Sequence, residues 1–344
     1  MLADPVACTH FVEPEELLRA VPDVTLRATP AGPGRFSASL ITIRLGEVVF
    51  QTGSCAPAVI MAQAAPGTSV VQLPFAGTET FILNGRPLTR GLVGLYGGGA
   101  TLERVSQQTT GHAAFILPTA KAERLLALPS ASPLLRPRGQ ALVQAHPEPW
   151  QRAVELAHAI ARAVAADAEA FRKEETRRSM RASLIDAVRE VVSGDEESGA
   201  PRQVRTSPAR RRIVNVADDY LVANPSRSIY TEELCNVLDI SPARLADAFR
   251  SSFGITPHRF LKLRRLAMVR ATLRDREGHV PLVRSVAHAH GFWHLGQFAR
   301  DYRAIYGETP SETLARTRGV PPRDTHYAGP TGDESGGDPW LRHT

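Results

Sequence analysis

The sequence predicts an α+β, multidomain chain, with an amino-terminal β-barrel that ends in helices and an all-α carboxy-terminal half built on a doubled helix-turn-helix. Three observations carry this. Short runs of alternating apolar and polar residues recur between Phe36 and Leu117. From Lys121 the apolar period lengthens to three or four. Near the carboxy terminus one motif is written twice, as Phe249, Arg250, Phe253, Gly254, Thr256, Pro257 and, 53 residues later, as Tyr302, Arg303, Tyr306, Gly307, Thr309, Pro310.

The β half opens with Ile41, Ile43 and Leu45, which alternate with Thr42 and Arg44. Runs at 59–61, 69–75, 80–83, 92–96 and 113–117 follow, and Asn84-Gly85 is a hairpin turn signal. Strands at this spacing predict a small barrel or jelly roll. Gln72, Phe75, Phe81 and Tyr96 are candidate linings of a small-molecule pocket in it, although core packing would explain the same residues. Residues 121–128 and 150–192 read as helical. Leu156, Ile160, Val164 and then Met180, Leu184, Val188 form an apolar face longer than a small barrel needs, which predicts a homodimer through this stretch. Length predicts two domains, and the divide falls where Gly, Pro and charge gather without apolar periodicity. The expected boundaries are 1–193, a linker at 194–207, a helical domain at 208–318, and a disordered tail at 319–344 rich in Gly, Pro and Asp.

Each copy of the repeated motif is the ending of a helix with one buried face. A left-handed Gly stops it, and Thr-Pro opens the next helix. The correspondence continues upstream, where Leu234, Ser241, Leu245 and Phe249 fall opposite Ala287, His294, Phe298 and Tyr302. Thr231 is a candidate cap for a helix to about Asp239, and Ser241-Pro242 opens the next. In the second copy, helices are expected over about 282–290 and 294–306, with Gly291 between. A long helix from Pro257 to about Leu273 joins the copies. It buries Phe260, Leu263, Leu266, Val269 and Leu273 and is expected to show Arg259, Lys262, Arg265 and Arg270 to a polyanion or to water.

The stretches ELCNVLDISPARLADAFRSSFGITPHRFL and GFWHLGQFARDYRAIYGETPSETL resemble the DNA-binding domain of the AraC/XylS family of bacterial transcription regulators, over about 208–318. The resemblance implies two helix-turn-helix units braced by the long helix, each placing a reading helix in the major groove of double-stranded DNA. It also favours activation through contact with RNA polymerase. A barrel followed by helices is similar, by layout, to the family's cupin-like sensing and dimerisation half, which implies a small-molecule effector. Positions matching the family's base-facing sites are Ala243, Ala246 and Asp247, with Arg244 and Arg250 alongside, and His294, Leu295, Gly296, Gln297 and Arg300. Arg can fork to guanine, Gln can pair with adenine, and Asp can accept from cytosine. For Asp247 and Arg300 an intramolecular ion pair is the competing explanation.

Charge agrees with DNA. Residues 208–318 hold 18 Lys/Arg against 11 Asp/Glu, a net of +7, while the whole chain is +6, so the excess is local. His288, His290 and His294 belong to the helix-turn-helix spacing rather than to a metal site. The repeated aromatics read as core and Cys235 as a buried thiol.

Three irregularly spaced Cys and no apolar stretch of about 18 residues predict a soluble, cytoplasmic protein without a membrane span. The enzymatic alternative is a metal-dependent cupin-type enzyme fused to a DNA-binding domain, but in residues 36–118 the only His is His112 and the only Cys is Cys55, with no His-x-His pair. Cys8 and His10 lie close together at the amino terminus. A repair methyltransferase would need a zinc site that Cys8, Cys55 and Cys235 do not make. No catalysis, metal or cofactor is therefore expected. A bare architectural DNA-binding protein would not require the β half.

Overall fold

Alternation of inward and outward residues sorts the amino-terminal strands into two antiparallel sheets. The computed structural model describes residues 4–21, 23–76, 81–193, 202–204, 207–224, 227–275 and 282–319. The strands are β1 (Val6–Phe11), β2 (Val24–Pro30), β3 (Ala38–Leu45), β4 (Val48–Cys55), β5 (Ala58–Ala64), β6 (Thr68–Ala76), β7 (Phe81–Leu83), β8 (Arg86–Pro87), β9 (Leu92–Tyr96), β10 (Thr101–Ser106), β11 (Thr110–Pro118), β12 (Gln140–Gln144) and β13 (Arg202–Val204). The large sheet runs β1-β3-β4-β11-β6-β9-β12-β13 and the small one β2-β5-β10-β7-β8. They stack face to face and do not close, so the predicted barrel is corrected to an open two-sheet sandwich. Each sheet keeps two edge strands, β1 and β13 in the large one and β2 and β8 in the small one.

The turn at Asn84-Gly85 joins β7 to β8 with φ of 45° and 74°, the left-handed pair that a two-residue hairpin requires. Strands β1, β2, β4, β10 and β12 escape a purely alternating reading. β4 and β10 are buried almost throughout, because one face meets the opposite sheet and the other meets helices.

Layering follows the pleat. Ile43, Phe50, Val71, Leu73, Ala113 and Phe115 point from the large sheet towards α1 (Thr119–Leu126), α2 (Pro147–Ala166) and α3 (Glu174–Ser193). Their neighbours Val49, Val70, Ala114 and Ile116 point the other way, onto Phe81, Leu83 and Leu102 of the small sheet. The helical stretch predicted over 150–192 is broken. Asp167 leaves helical geometry, and its carboxylate accepts the Ala170 N–H at 3.1 Å to start a short 3-10 turn over Glu169–Arg172. The apolar face that suggested a dimer is covered within the chain: Ile160, Val164, Met180, Leu184 and Val188 are all buried in the core beneath the large sheet.

The carboxy-terminal half comprises α4 (Pro208–Ala223), α5 (Thr231–Leu238), α6 (Pro242–Phe253), α7 (Pro257–Arg274), α8 (Val283–Ala289), α9 (Leu295–Tyr306) and α10 (Pro310–Arg318). Thr231 is the first helical residue of α5 rather than its cap, which is Tyr230. Of the expected linker, β13 pairs with β12, and most of the remainder lies outside the described residues, as does the tail beyond Gly319.

The outer face of the small sheet is the third layer boundary. Val59, Met61 and Val105 share one apolar core with α4, α6 and α7. Charge reinforces the seam. Arg270 pairs with Glu13 and, at 3.0 Å, with Glu15; Arg274 reaches Glu13 at 2.8 Å; and Arg316 joins Glu308 at 2.8 Å to Glu13 at 3.3 Å. The polyanion-facing side expected for α7 is thus corrected. Arg270 is buried in this ion cluster, and Arg265 is buried with its guanidinium 4.5 Å from the Tyr230 ring and 5.4 Å from the Phe292 ring. Arg259 and Lys262 are half-buried. Among the described residues no helix is long and apolar enough to cross a membrane.

Candidate nucleic-acid interface

The two copies of the motif terminate their helices in the same way. Ser241 caps α6 by accepting the Arg244 N–H, and Gly254 ends it at φ 66°, its N–H donating to the Arg250 carbonyl. Gly307 ends α9 at φ 68° with its N–H on the Arg303 carbonyl. Thr256 and Thr309 then cap α7 and α10 with Pro257 and Pro310 in the first turn, where no N–H is missed. At Thr309 the cap is reciprocal, since Glu312 accepts the Thr309 N–H and returns its own N–H to the threonine hydroxyl. These contacts, the backbone one first, hold the Glu312 carboxyl below its usual range. The ends do not match at the start of α9, where His294 occupies the cap position without a side-chain bond.

Buried Leu245, Ala248, Phe249 and Phe253 anchor α6, and buried Phe298, Tyr302, Ile305 and Tyr306 anchor α9. The opposite faces are open. On α6 these are Ala243, Arg244, Asp247 and Arg250, with Ala246 half-buried; on α9 they are His294, Leu295, Gly296, Gln297 and Arg300. Apart from half-buried Ala246, each expected reading position is therefore exposed; Ala243, Asp247 and Arg250 share one face of α6, and Gln297 and Arg300 share one face of α9, whereas His294, Leu295 and Gly296 wrap around its first turn.

Local bonding distinguishes the two helices. Asp247 is clasped by Arg210 of α4 through two bonds of 2.7 and 3.2 Å, which is the intramolecular pair that competed with a base contact. On α9, Arg300 donates to the Gln297 amide oxygen at 2.9 Å, and the Gln297 amide nitrogen donates to Asp301 at 2.9 Å. Asp301 is buried and receives Lys262 of α7 at 2.5 Å. A chain of contacts thus runs from the bracing helix through Asp301 to the Gln297 and Arg300 heads. Sequence reading missed Asp301; the signal was its place four residues after Gln297 on one helix face. It also missed Trp293, which stands 71% exposed in the turn before α9 and stacks on His288 at 5.2 Å.

The residues expected to line an effector pocket divide between two places. Gln72, Phe81 and Tyr96 lie buried between the sheets, whereas Phe75 is on the helix side of the large sheet, edge-on to His158 at 4.6 Å. There it borders an open groove of about 540 Å³ that also takes in Cys8 and His10. His288 lies in α8 and stacks on Trp293, whereas His290 falls just past the helix end, near the Thr272 hydroxyl at 3.4 Å.

Similarity to known proteins falls on the same part of the chain. The family described as "Helix-turn-helix domain" matches residues 234–316. Over 112 residues the chain is 36% identical to the XylDLEGF operon transcriptional activator 2 of Pseudomonas putida, a match covering 33% of this chain and 69% of that protein. The XylDLEGF operon transcriptional activator of Pseudomonas putida is 34% identical over 112 residues, covering 33% of this chain and 34% of that protein. The chain thus spans about a third of the length of this longer relative. A solved structure of a probable AraC family transcriptional regulator from Rhodopseudomonas palustris CGA009 is 39% identical, covers 31% of this chain and 97% of that one, and has a TM-score of 0.29.

Proposed function

The chain belongs to the AraC/XylS family of bacterial transcription regulators, and from that premise we propose that it is a sequence-specific activator of transcription gated by a small-molecule effector held in the β half. The observation that carries the DNA-binding part is the pair of helices α6 and α9, identically terminated and braced by α7, each with its expected reading face open to solvent. Two such helices on one chain let a single subunit read successive stretches of major groove. Relatives named as operon activators support the sign of regulation. In this reading the protein acts in the cytoplasm, touches RNA polymerase when bound upstream of a promoter, and catalyses no reaction. The extents 1–193 and 208–318 act as effector and DNA-binding domains. A homodimer would use the outward faces of α2 and α3, since the inward ones are occupied.

The test is selection of binding sites from random duplex DNA with the full-length chain, followed by titration at several salt concentrations. Enrichment of a site with two half-elements on one side of the duplex, and an affinity that falls steeply with salt, is the expected result. No enriched sequence, or an affinity indifferent to salt, overturns the DNA-binding reading.

A further inference from the structure

The interior of the sandwich contains a cation without an anion. Arg104 of β10 points between the sheets; it is 4% exposed and makes no salt bridge among the described residues, and its Nε has no hydrogen-bond partner. What it does have are soft neighbours, the Phe81 ring 5.9 Å from its guanidinium carbon and the Cys55 thiol. Its chain neighbour Glu103 does not answer it, because alternation along β10 sends that side chain out of the sandwich, towards Ser252 and Arg211 of the helical half. A buried charge left unpaired is strongly unfavourable and is rarely kept without a use.

The large sheet faces Arg104 with polar atoms that are also unsatisfied. Strands β4, β11, β6 and β9 are consecutive in the sheet, and each contributes to the same inner patch. Thr110 sits opposite Cys55, and two residues along β11 is His112. Gln72 pairs across to Gly94, and the Tyr96 ring lies over Gly94, 2.5 Å from where a Cβ would stand, which is why that position lacks one. The Thr110 hydroxyl, His112 Nδ1 and Gln72 Oε1 are buried and without partners, and the Tyr96 hydroxyl is buried beside Asn84. Burial, and then the Arg104 charge, push the His112 imidazole down to about 3, so it is neutral and adds no second cation. Apolar residues flank the patch on both sides, Leu83, Leu102 and Ile116 on one and Leu40, Ala58 and Ile60 on the other.

We propose that this inner patch is the effector site and that its ligand is a small organic monocarboxylate, the carboxylate forked onto Arg104 and its hydrocarbon part among the flanking apolar residues. The inference rests on the effector-gated reading above and names the chemistry of that effector. One guanidinium calls for one negative charge, and its planar fork matches a carboxylate. The hydroxyls of Tyr96 and Thr110 can donate to the same oxygens.

The experiment is thermal unfolding of the full-length chain, equilibrated at constant ionic strength with acetate, butyrate, benzoate, inorganic phosphate or the neutral benzamide. At least one carboxylate is expected to raise Tm in a saturable way, with phosphate and benzamide without effect, and Arg104→Met is expected to abolish the shift. Tyr96→Phe and Gln72→Met keep the core filled and are each expected to weaken the carboxylate several-fold, which preserves the test should the Arg104 variant not fold. No shift with any carboxylate, an equal shift with benzamide or phosphate, or an undiminished affinity in all variants overturns the proposal. Titration of the wild-type chain with its selected DNA in the same buffer separates the two readings. DNA binding without a carboxylate shift removes the anion site alone, and loss of both removes the regulator reading as well.

Discussion

Arg300 and Asp247 show how neighbours decide what a reading residue can do. Arg300 is exposed and held only by the neighbouring Gln297, so its fork can turn to guanine; Asp247 is already engaged by Arg210. Arg300→Ala is expected to weaken binding to the selected site by about 1–3 kcal/mol and to relax preference at one base pair. Equal losses on selected and random duplexes would make it a phosphate contact instead. Glu103 tests a different kind of residue, a carboxyl buried at the seam between the halves with neither oxygen hydrogen-bonded. Burial pushes it up to about 8, opposed by Arg211 and helped by Asp218, with Ser252 beside it. In the unfolded chain it releases its proton near 4.5. The native state therefore holds the extra proton between these values, and stability falls as pH rises from about 5 through 8. Urea unfolding of the full chain should show that slope, and Glu103→Gln should flatten it and be the more stable form above pH 8. Parallel profiles for the two proteins would contradict the assignment.

At the level of elements, the two terminators are the points of least tolerance. Gly254 and Gly307 are left-handed, and each also abuts the β half: a Cβ would stand 2.8 Å from the Ile82 side chain at Gly254 and 2.9 Å from that of Arg35 at Gly307. Gly307→Ala is expected to cost about 1–2 kcal/mol from backbone conformation alone. Thr309→Ala, which removes a reciprocal cap, should cost about 1 kcal/mol. Because one change ends α9 and the other begins α10, both should lower the midpoint of urea unfolding without changing the reading face. A variant of either kind that lost specific DNA binding at full stability would show that the helix ends do more than terminate.

For the whole molecule, the ion cluster of Glu13, Glu15 and Glu308 with Arg270, Arg274 and Arg316 ties residues 13–15 to α7 and α10. Arg270 is its buried centre. Removing it leaves Glu13 to the more exposed Arg274 and Arg316, and Glu308 to Arg316 alone, so Arg270→Ala is expected to cost about 3 kcal/mol, the lower end for a broken buried pair. Since the lost contacts join two halves that each keep a core of their own, unfolding should separate into two transitions. Scanning calorimetry reads this directly. A single transition shifted down as a whole would mean that the halves fold as one unit whatever the cluster does.

The sequence by itself determined the helical half. Helix periodicity, Ser241, Thr256 and Thr309 as caps, and left-handed helix ends that glycine fills without strain are local rules, so the reading helices and their open faces were legible residue by residue. The Asn84-Gly85 hairpin was legible for the same reason. What only the tertiary structure decided is where the two faces of each strand and helix look. A strand buried on both sides does not alternate, which hid β4 and β10. Nor does local sequence say that the β half folds as an open sandwich, or that the apolar faces of α2 and α3 meet the chain's own sheet. Arg265 and Arg270 read as surface cations because charge is usually solvated, yet aromatic rings surround one and carboxylates from 255 and 257 residues away surround the other. Arg104 is the same case turned inward. Its type and position are plain in the chain, but only the packing of two sheets shows that no carboxylate among the described residues comes with it, since pairing across a fold depends on contacts that no local pattern encodes.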